Sequence, residues 1–356
     1  MSKGVNWETF LKLAARHVVR PLVFQTIKLV CWDDVPTKIQ HELMRFNKAN
    51  IQKSFIFTAE LLRLLDLFQK NAIAIATFKG PVLAHSAYDH VSRREFSDLD
   101  VIVREVDLAK AEKILIDRGY RADFPDRDYR SAFLSYQGQY AFRHNEMGLS
   151  VDLHWRLSSK GVGCPIPSGE MWQRLETITI AGRTIPTLAR DDLALFLAAH
   201  GTKEGWRSLI WVCDFAEFLR KHQDINWAAI LDRAQRSHSL RPLLLAMVLA
   251  STLLDAPIPA TLVDLAWNHL AVRTLAEQAK LRMLRDSPER EVDKFLNGLN
   301  THDRLRNRLL PLATLLTTRT VSDYQAMPLP KSLWRFYHFT RPFRLAGKIL
   351  KRALRL

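Results

Sequence analysis

The chain has 356 residues, enough for one core with a helical extension or for two modest domains. At 47% hydrophobic and 25% charged it has the make-up of a folded protein rather than a disordered one, and no stretch approaches the about eighteen successive apolar residues of a membrane span. The net charge of +15 is lopsided: residues 301–356 carry twelve Lys/Arg against Asp303 and Asp323, a net of +10, which excludes a uniformly cationic protein and indicates a basic tail on a near-neutral body.

The first seventy residues read as helices. Leu11, Ala14, Ala15, Val18, Val19, Leu22 and Val23 recur at three and four, as do Phe57, Leu61, Leu64, Leu65 and Phe68. Pro21 is expected to kink or end the first helix, and Pro36 to lie in a linker. Lys12, Arg16, His17, Arg20 and Lys28 interrupt Phe10–Val30, so it reads as neither a signal peptide nor a span.

At Ala72–Phe78 the texture changes to a short buried strand. Lys79-Gly80-Pro81 then opens a helix, with Pro at the first helical position. Asp98–Val103 alternates as a strand. A helix over 106–118 follows and ends at Gly119, and Ala132–Arg143 with Leu149–Arg156 reads as two strands joined at Asn145–Gly148. Thr177–Ile180 and Thr184–Thr187 form a small hairpin, and from Asp191, read as an N-cap, nearly everything is helical. Cys31, Cys164 and Cys213 are widely separated and match no zinc or redox spacing, which fits buried or incidental thiols in a reducing cytoplasm.

Asp98 and Asp100 are the informative pair. On a strand, residues two apart share a face, about 6.5–7 Å from one another. Two carboxylates so placed can share divalent cations in phosphoryl transfer, where paired metals sit ~3.5–4 Å apart. The apolar run Val101–Val103 places the strand in the core and its N-terminal end at an exposed rim. Taken alone the pair is common, and reads first as two solvated acids at a strand start. The strand–Lys79-Gly80–helix turn can offer backbone N–H groups and a positive helix end to phosphates; alone it is an ordinary turn with a surface lysine. Ser150, Asp152 and His154 share one strand face. Asp152 can complete a metal site and take a proton from an attacking hydroxyl. His154 can hold a phosphate, orient Asp152, or be an internally satisfied histidine.

Phe78-Lys79-Gly80, Arg94-x-x-x-Asp98-Leu-Asp100-Val-Ile-Val, Gly119-Tyr120 and Val151-Asp152-Leu-His154-Trp155, in this order, resemble the bacterial nucleotidyltransferase family often labelled type 5, within the DNA polymerase β-like superfamily. The resemblance runs from Leu11-x-x-Ala14-x-x-His17 to His200-x-x-Lys203 and Trp206-x-x-Leu209-x-Trp211-x-x-Asp214, about residues 10–220. It departs from the superfamily in having Lys79-Gly80 for Gly-Gly or Gly-Ser, and a longer gap from Gly80 to Asp98; Glu204 stands where the family often has a second histidine.

The resemblance implies an α+β fold, a mixed sheet flanked by helices, with N-terminal helices and a helical C-terminal domain. The expected division is 1–70 helical, 71–160 catalytic, 161–330 hairpin and helices, and 331–356 basic tail. It implies Mg²⁺ or Mn²⁺ on Asp98, Asp100 and Asp152, with Asp152 also as base, and a nucleoside triphosphate held by Lys79, Gly80, Arg94, His154 and Lys203. His200 is a further candidate; Trp206 and Trp211 read as core. The expected reaction moves a nucleotidyl group to a hydroxyl of a small molecule or of an envelope or peptide natural-product intermediate. A nucleotide-sugar donor and a toxin-like transferase acting on tRNA are the alternatives.

In the tail, Arg344, Lys348, Lys351 and Arg355 fall on one helical face, with Phe343, Ala346, Leu350 and Leu354 towards another. Such a segment can lie on an anionic membrane surface, hold RNA, or pack its apolar stripe on the body and leave the cations in water.

Overall fold

A computed structural model describes residues 4–122, 137–158, 166–285 and 326–353, with Arg130, Leu134 and Asp323. Three helices lead the chain, α1 (Trp7–Arg16), α2 (Arg20–Val30) and the long α3 (Thr37–Lys70). Pro21 sits in the first turn of α2, where its missing N–H costs nothing. The break between α1 and α2 is made instead at Val18, whose φ of 57° is left-handed. The stripe Phe57, Leu61, Leu64 and Phe68 of α3 is fully buried against the sheet.

The sheet has the order β1-β2-β5-β4-β3, from β1 (Ile75–Thr77), β2 (Leu99–Val103), β3 (Arg121–Ala122), β4 (Gln139–His144) and β5 (Leu149–His154). β2 and β5 run parallel; the other neighbours are antiparallel, so the sheet is mixed. The strand expected over 72–78 is shortened because Ala72 takes a left-handed turn at φ 55°. The expected start of β4 at Ala132 falls on residues outside those described or in no strand; pairing begins at Gln139.

The alternation of β2 sorts its side chains. Leu99, Val101 and Val103 join Val151 and Leu153 in a core with α3 and α5 (Leu108–Asp117). Ile102 faces a second core with Phe78, built largely by the later helices. These are α6 (Ser168–Gln173), α7 (Arg190–Lys203), α8 (Leu209–Lys221), α9 (Trp227–Arg236), α10 (Leu240–Leu254), α11 (Ala260–Trp267) and α12 (Leu270–Leu284). Asp191 does not cap α7: Ala189 holds that place, and Asp191 and Asp192 lie in the first turn, where acids complement the helix dipole. The hairpin β6 (Glu176–Ile180) and β7 (Arg183–Thr187) turns on left-handed Ala181 and Gly182.

The last helix, α13 (Tyr337–Ala353), reverses one expectation. Phe339 is 71% and Phe343 80% exposed, whereas Arg341 is buried. Both Arg341 and Arg344 pair with Asp323. Phe339, Phe343 and Ala346 therefore face outward, while Arg341 and Arg344 on the opposite side are drawn onto a buried carboxylate. Lys348, Lys351, Leu354 and Arg355 lie outside the described side chains. Among the described residues no helix is long and apolar enough to cross a membrane.

Candidate active site

Three elements meet at one end of the β2–β5 pair. Asp100 and Asp152 are register partners on these parallel strands, and His154 pairs with Ile102 one step further along the same face. Asp98 precedes β2 in a bend and is half-buried. Gly80, the first residue of α4 (Gly80–Tyr88), lies against it: a Cβ there would come within 3.2 Å of the Asp98 carbonyl, and Gly80 has φ +54°. Both facts call for glycine.

Asp100 is 1% exposed, so it does not lie on an open rim. Its burial as an anion is compensated on one oxygen: Oδ1 lies 2.8 Å from Lys79 Nζ and 3.0 Å from His154 Nε2. Its carbonyl accepts from Thr77 Oγ1 at 2.7 Å. Burial alone would raise the Asp100 pKa, but Lys79 and His154 outweigh it and hold the carboxyl well below the usual range. Burial opposes the Lys79 ammonium too, and the Asp100 charge more than restores it. The neighbouring acids go the other way. Burial, then the Asp100 charge, pushes Asp98 up to about 6 and raises Asp152. Asp152 Oδ2 accepts a hydrogen bond from Gln139 Nε2 at 2.6 Å.

His154 therefore serves Asp100 and not Asp152, since its Nε2 crosses to the adjacent strand. The turn at Gly80 is poorer in donors than expected. Pro81 has no N–H, and the N–H groups of Val82 and Leu83 turn back to the Lys79 carbonyl at 3.2 and 3.5 Å. Arg94 is buried and held by Asp214 of α8 through Nε at 2.7 Å and Nη2 at 2.8 Å, with Tyr88 Oη on the same carboxylate. It lines the cavity with its main donors engaged. Lys203 is exposed at the end of α7, close enough for its charge to lower the Asp152 pKa. His200, one turn earlier, is driven well below an ordinary histidine by burial and by the charges of Lys79 and Lys203. Its ring stacks on Phe196 at 5.6 Å.

Lys79, Arg94, Asp98, Asp100 and His200 border a cavity of about 500 Å³, a size suited to a small ligand. Its opposite wall comes from the N-terminal helices: Arg20, Phe46, Asn50 and Lys53. Helical periodicity marks which face of α3 is buried but cannot reveal that Asn50 and Lys53 look onto a site thirty residues later. Arg20 is occupied by Glu95 at 2.6 Å and lies 3.9 Å over the Phe46 ring. Trp206 is core, though it sits in the turn after α7 with φ 52° and not on a helical stripe; a Cβ on Gly201 would come within 2.6 Å of its ring. Trp211 is half-buried and meets His200 edge-on at 6.4 Å.

Ligand atoms of Asp100, Asp152 and His154 all lie within 4.8 Å of one another. Two carboxylates and an imidazole suit a divalent cation, so the residues fit a metal. Asp98 falls outside this tight group but feels both of its acids.

A family model described as uncharacterised nucleotidyltransferase matches residues 3–255. The chain belongs to this family, and it is a transferase of the nucleotidyl class. No curated protein matches its sequence. Among solved structures, the solution structure of the antibiotic-resistance factor ANT(2'')-Ia is similar at 11% identity, covering 63% of this chain and 98% of that one with a TM-score of 0.31. That likeness is too low to bear on substrate or mechanism.

Proposed function

We propose that the protein transfers a nucleotidyl group from a nucleoside triphosphate to a hydroxyl acceptor, in a reaction dependent on Mg²⁺ or Mn²⁺. The observation that carries this reading is the register pairing of Asp152 with Asp100, which together with Asp98 borders a cavity of about 500 Å³. Asp98, Asp100, Asp152 and His154 are the groups available to hold metal. When bound, a divalent ion supplies positive charge to the phosphate oxygens. Asp152, its carboxyl raised by burial and by Asp100, is suited to accept the proton of the attacking hydroxyl as that oxygen bonds the α-phosphorus and pyrophosphate leaves. Lys79 and exposed Lys203 supply charge for the phosphates, and neutral His200 a hydrogen bond. Arg94, through Asp214, positions the segment that carries Asp98.

The acceptor is proposed to be a small molecule or an envelope or peptide natural-product intermediate; this rests on the family resemblance. A thermal-shift panel of nucleotides and sugar nucleotides, with and without metal, separates the donors by linkage. Stabilisation by a triphosphate only with metal supports the reading. Stabilisation by sugar nucleotides alone would replace the donor.

A second reading concerns place. The outward Phe339 and Phe343, in a segment of net charge +10, favour a reversible contact of α13 with an anionic membrane surface.

A further inference from the structure

His154 stands among the carboxylates with a geometry of its own. Its Nε2 is 3.0 Å from Asp100 Oδ1. Neighbouring ligands of an ion bound at ~2.1 Å lie about 3–3.5 Å apart, so this spacing is of the size that two ligands of one ion have. The ring's other nitrogen, Nδ1, faces the Arg156 carbonyl at 3.4 Å. A backbone carbonyl on the far nitrogen is the partner metal-bound histidines commonly use, since it fixes the tautomer that leaves Nε2 its lone pair. Phe78 meets the ring edge-on at 5.2 Å, and the ring is buried, so its aim is set by packing. The other polar contacts of the group are Lys79 on Asp100 Oδ1 and Gln139 on Asp152 Oδ2.

We propose, building on the nucleotidyl-transfer reading, that His154 Nε2 is a metal ligand alongside Asp100 and Asp152, and that the site thereby prefers a first-row transition ion such as Mn²⁺ to Mg²⁺. Magnesium favours all-oxygen sets and keeps its waters; an imidazole nitrogen shifts preference towards transition ions. An ion held there would take the Nε2 lone pair, with the ring proton kept on Nδ1 against the Arg156 carbonyl.

The test is Mn²⁺ titration of the full-length protein without nucleotide, followed by electron paramagnetic resonance. Wild-type protein should show nitrogen modulation of a coordinated imidazole in pulsed spectra, changing from the ¹⁴N to the ¹⁵N pattern when its histidines are ¹⁵N-labelled. His154→Gln should lose the modulation and weaken Mn²⁺ binding by about tenfold or more; His200→Gln should keep the modulation. Mg²⁺ should displace Mn²⁺ only at about tenfold or greater excess. Stoichiometric Mn²⁺ binding that depends on Asp100 but lacks imidazole modulation in the wild type would overturn the His154 assignment and leave nucleotidyl transfer standing. No Mn²⁺ binding, with or without a nucleoside triphosphate, would overturn both. The wild-type spectrum decides even if His154→Gln fails to fold.

Discussion

Asp100 and Asp152, fifty-two residues apart in the chain, are direct partners across two parallel strands. Adjacent strands lie about 4.8 Å apart, so the two carboxylates are brought closer than any pair on one strand can be. One of them is neutralised by Lys79 and His154, and the other is left with a raised pKa. In the proposed reaction, that asymmetry separates a standing anion from a proton acceptor.

Asp152→Asn tests the separation. The variant should keep most of its affinity for nucleotide and lose turnover by roughly 10²–10⁴, the range for a positioned base. Calorimetric binding and single-turnover kinetics measured side by side decide it. Equal loss of both would make Asp152 chiefly a ligand.

Lys79→Met should expose how Asp100 is tolerated in the core. Removing the ammonium leaves a buried carboxylate with His154 as its remaining side-chain hydrogen-bond partner, a change expected to cost about 3–5 kcal/mol in chelator. Added Mn²⁺ should recover much of that, because it replaces the lost charge. Urea unfolding with and without metal measures both; an equal loss in the two conditions would contradict the assignment.

The pH dependence follows from Asp98, raised from an ordinary 3.8 to about 6. Between these values the native state holds a proton that the unfolded chain has released. Metal-free stability should therefore fall as pH rises from about 4 to 6. Metal affinity should climb over the same window, since cation and proton compete for the same negative charge. Calorimetry in buffers of different ionisation enthalpy should detect proton release on Mn²⁺ binding near pH 5.5 and none from this group at pH 8.

Period-two alternation made Asp152 and His154 legible as sharing a face, but Asp98, read on one strand with Asp100, precedes β2 in a bend; the helical repeat made the buried stripe of α3 legible. Neither carries information about which strands pair. The closing of Asp100 on Asp152, and the choice of Asp100 by His154, depend on inter-strand register. Arg94 reads as a phosphate ligand from its place in the motif, yet its partner Asp214 lies 120 positions on. Arg20, Asn50 and Lys53 carry no local mark of the cavity they line. In the tail the segregation of charge was plain, but not that Asp323 would turn Arg341 and Arg344 inward.

Phe339→Ser with Phe343→Ser should abolish sedimentation with anionic phosphatidylglycerol vesicles while nucleotide binding is unchanged. Each basic residue near such a surface contributes ~1 kcal/mol, and salt should weaken the contact as the screening length shortens to ~3 Å at 1 M. Removal of residues 331–356 should have the same effect. Wild-type protein that ignores the vesicles and binds a short RNA would favour a tRNA-directed enzyme instead.

The central claim is that Asp100 and Asp152 together create a metal-dependent nucleotide site. The measurement that tests it most directly is calorimetric titration of a non-hydrolysable nucleoside triphosphate into wild-type protein with Mn²⁺, into wild-type protein with chelator, and into Asp100→Asn/Asp152→Asn with Mn²⁺. Stoichiometric binding in the first case and none in the other two is the predicted result; equal binding in chelator, or in the folded double variant, would contradict it.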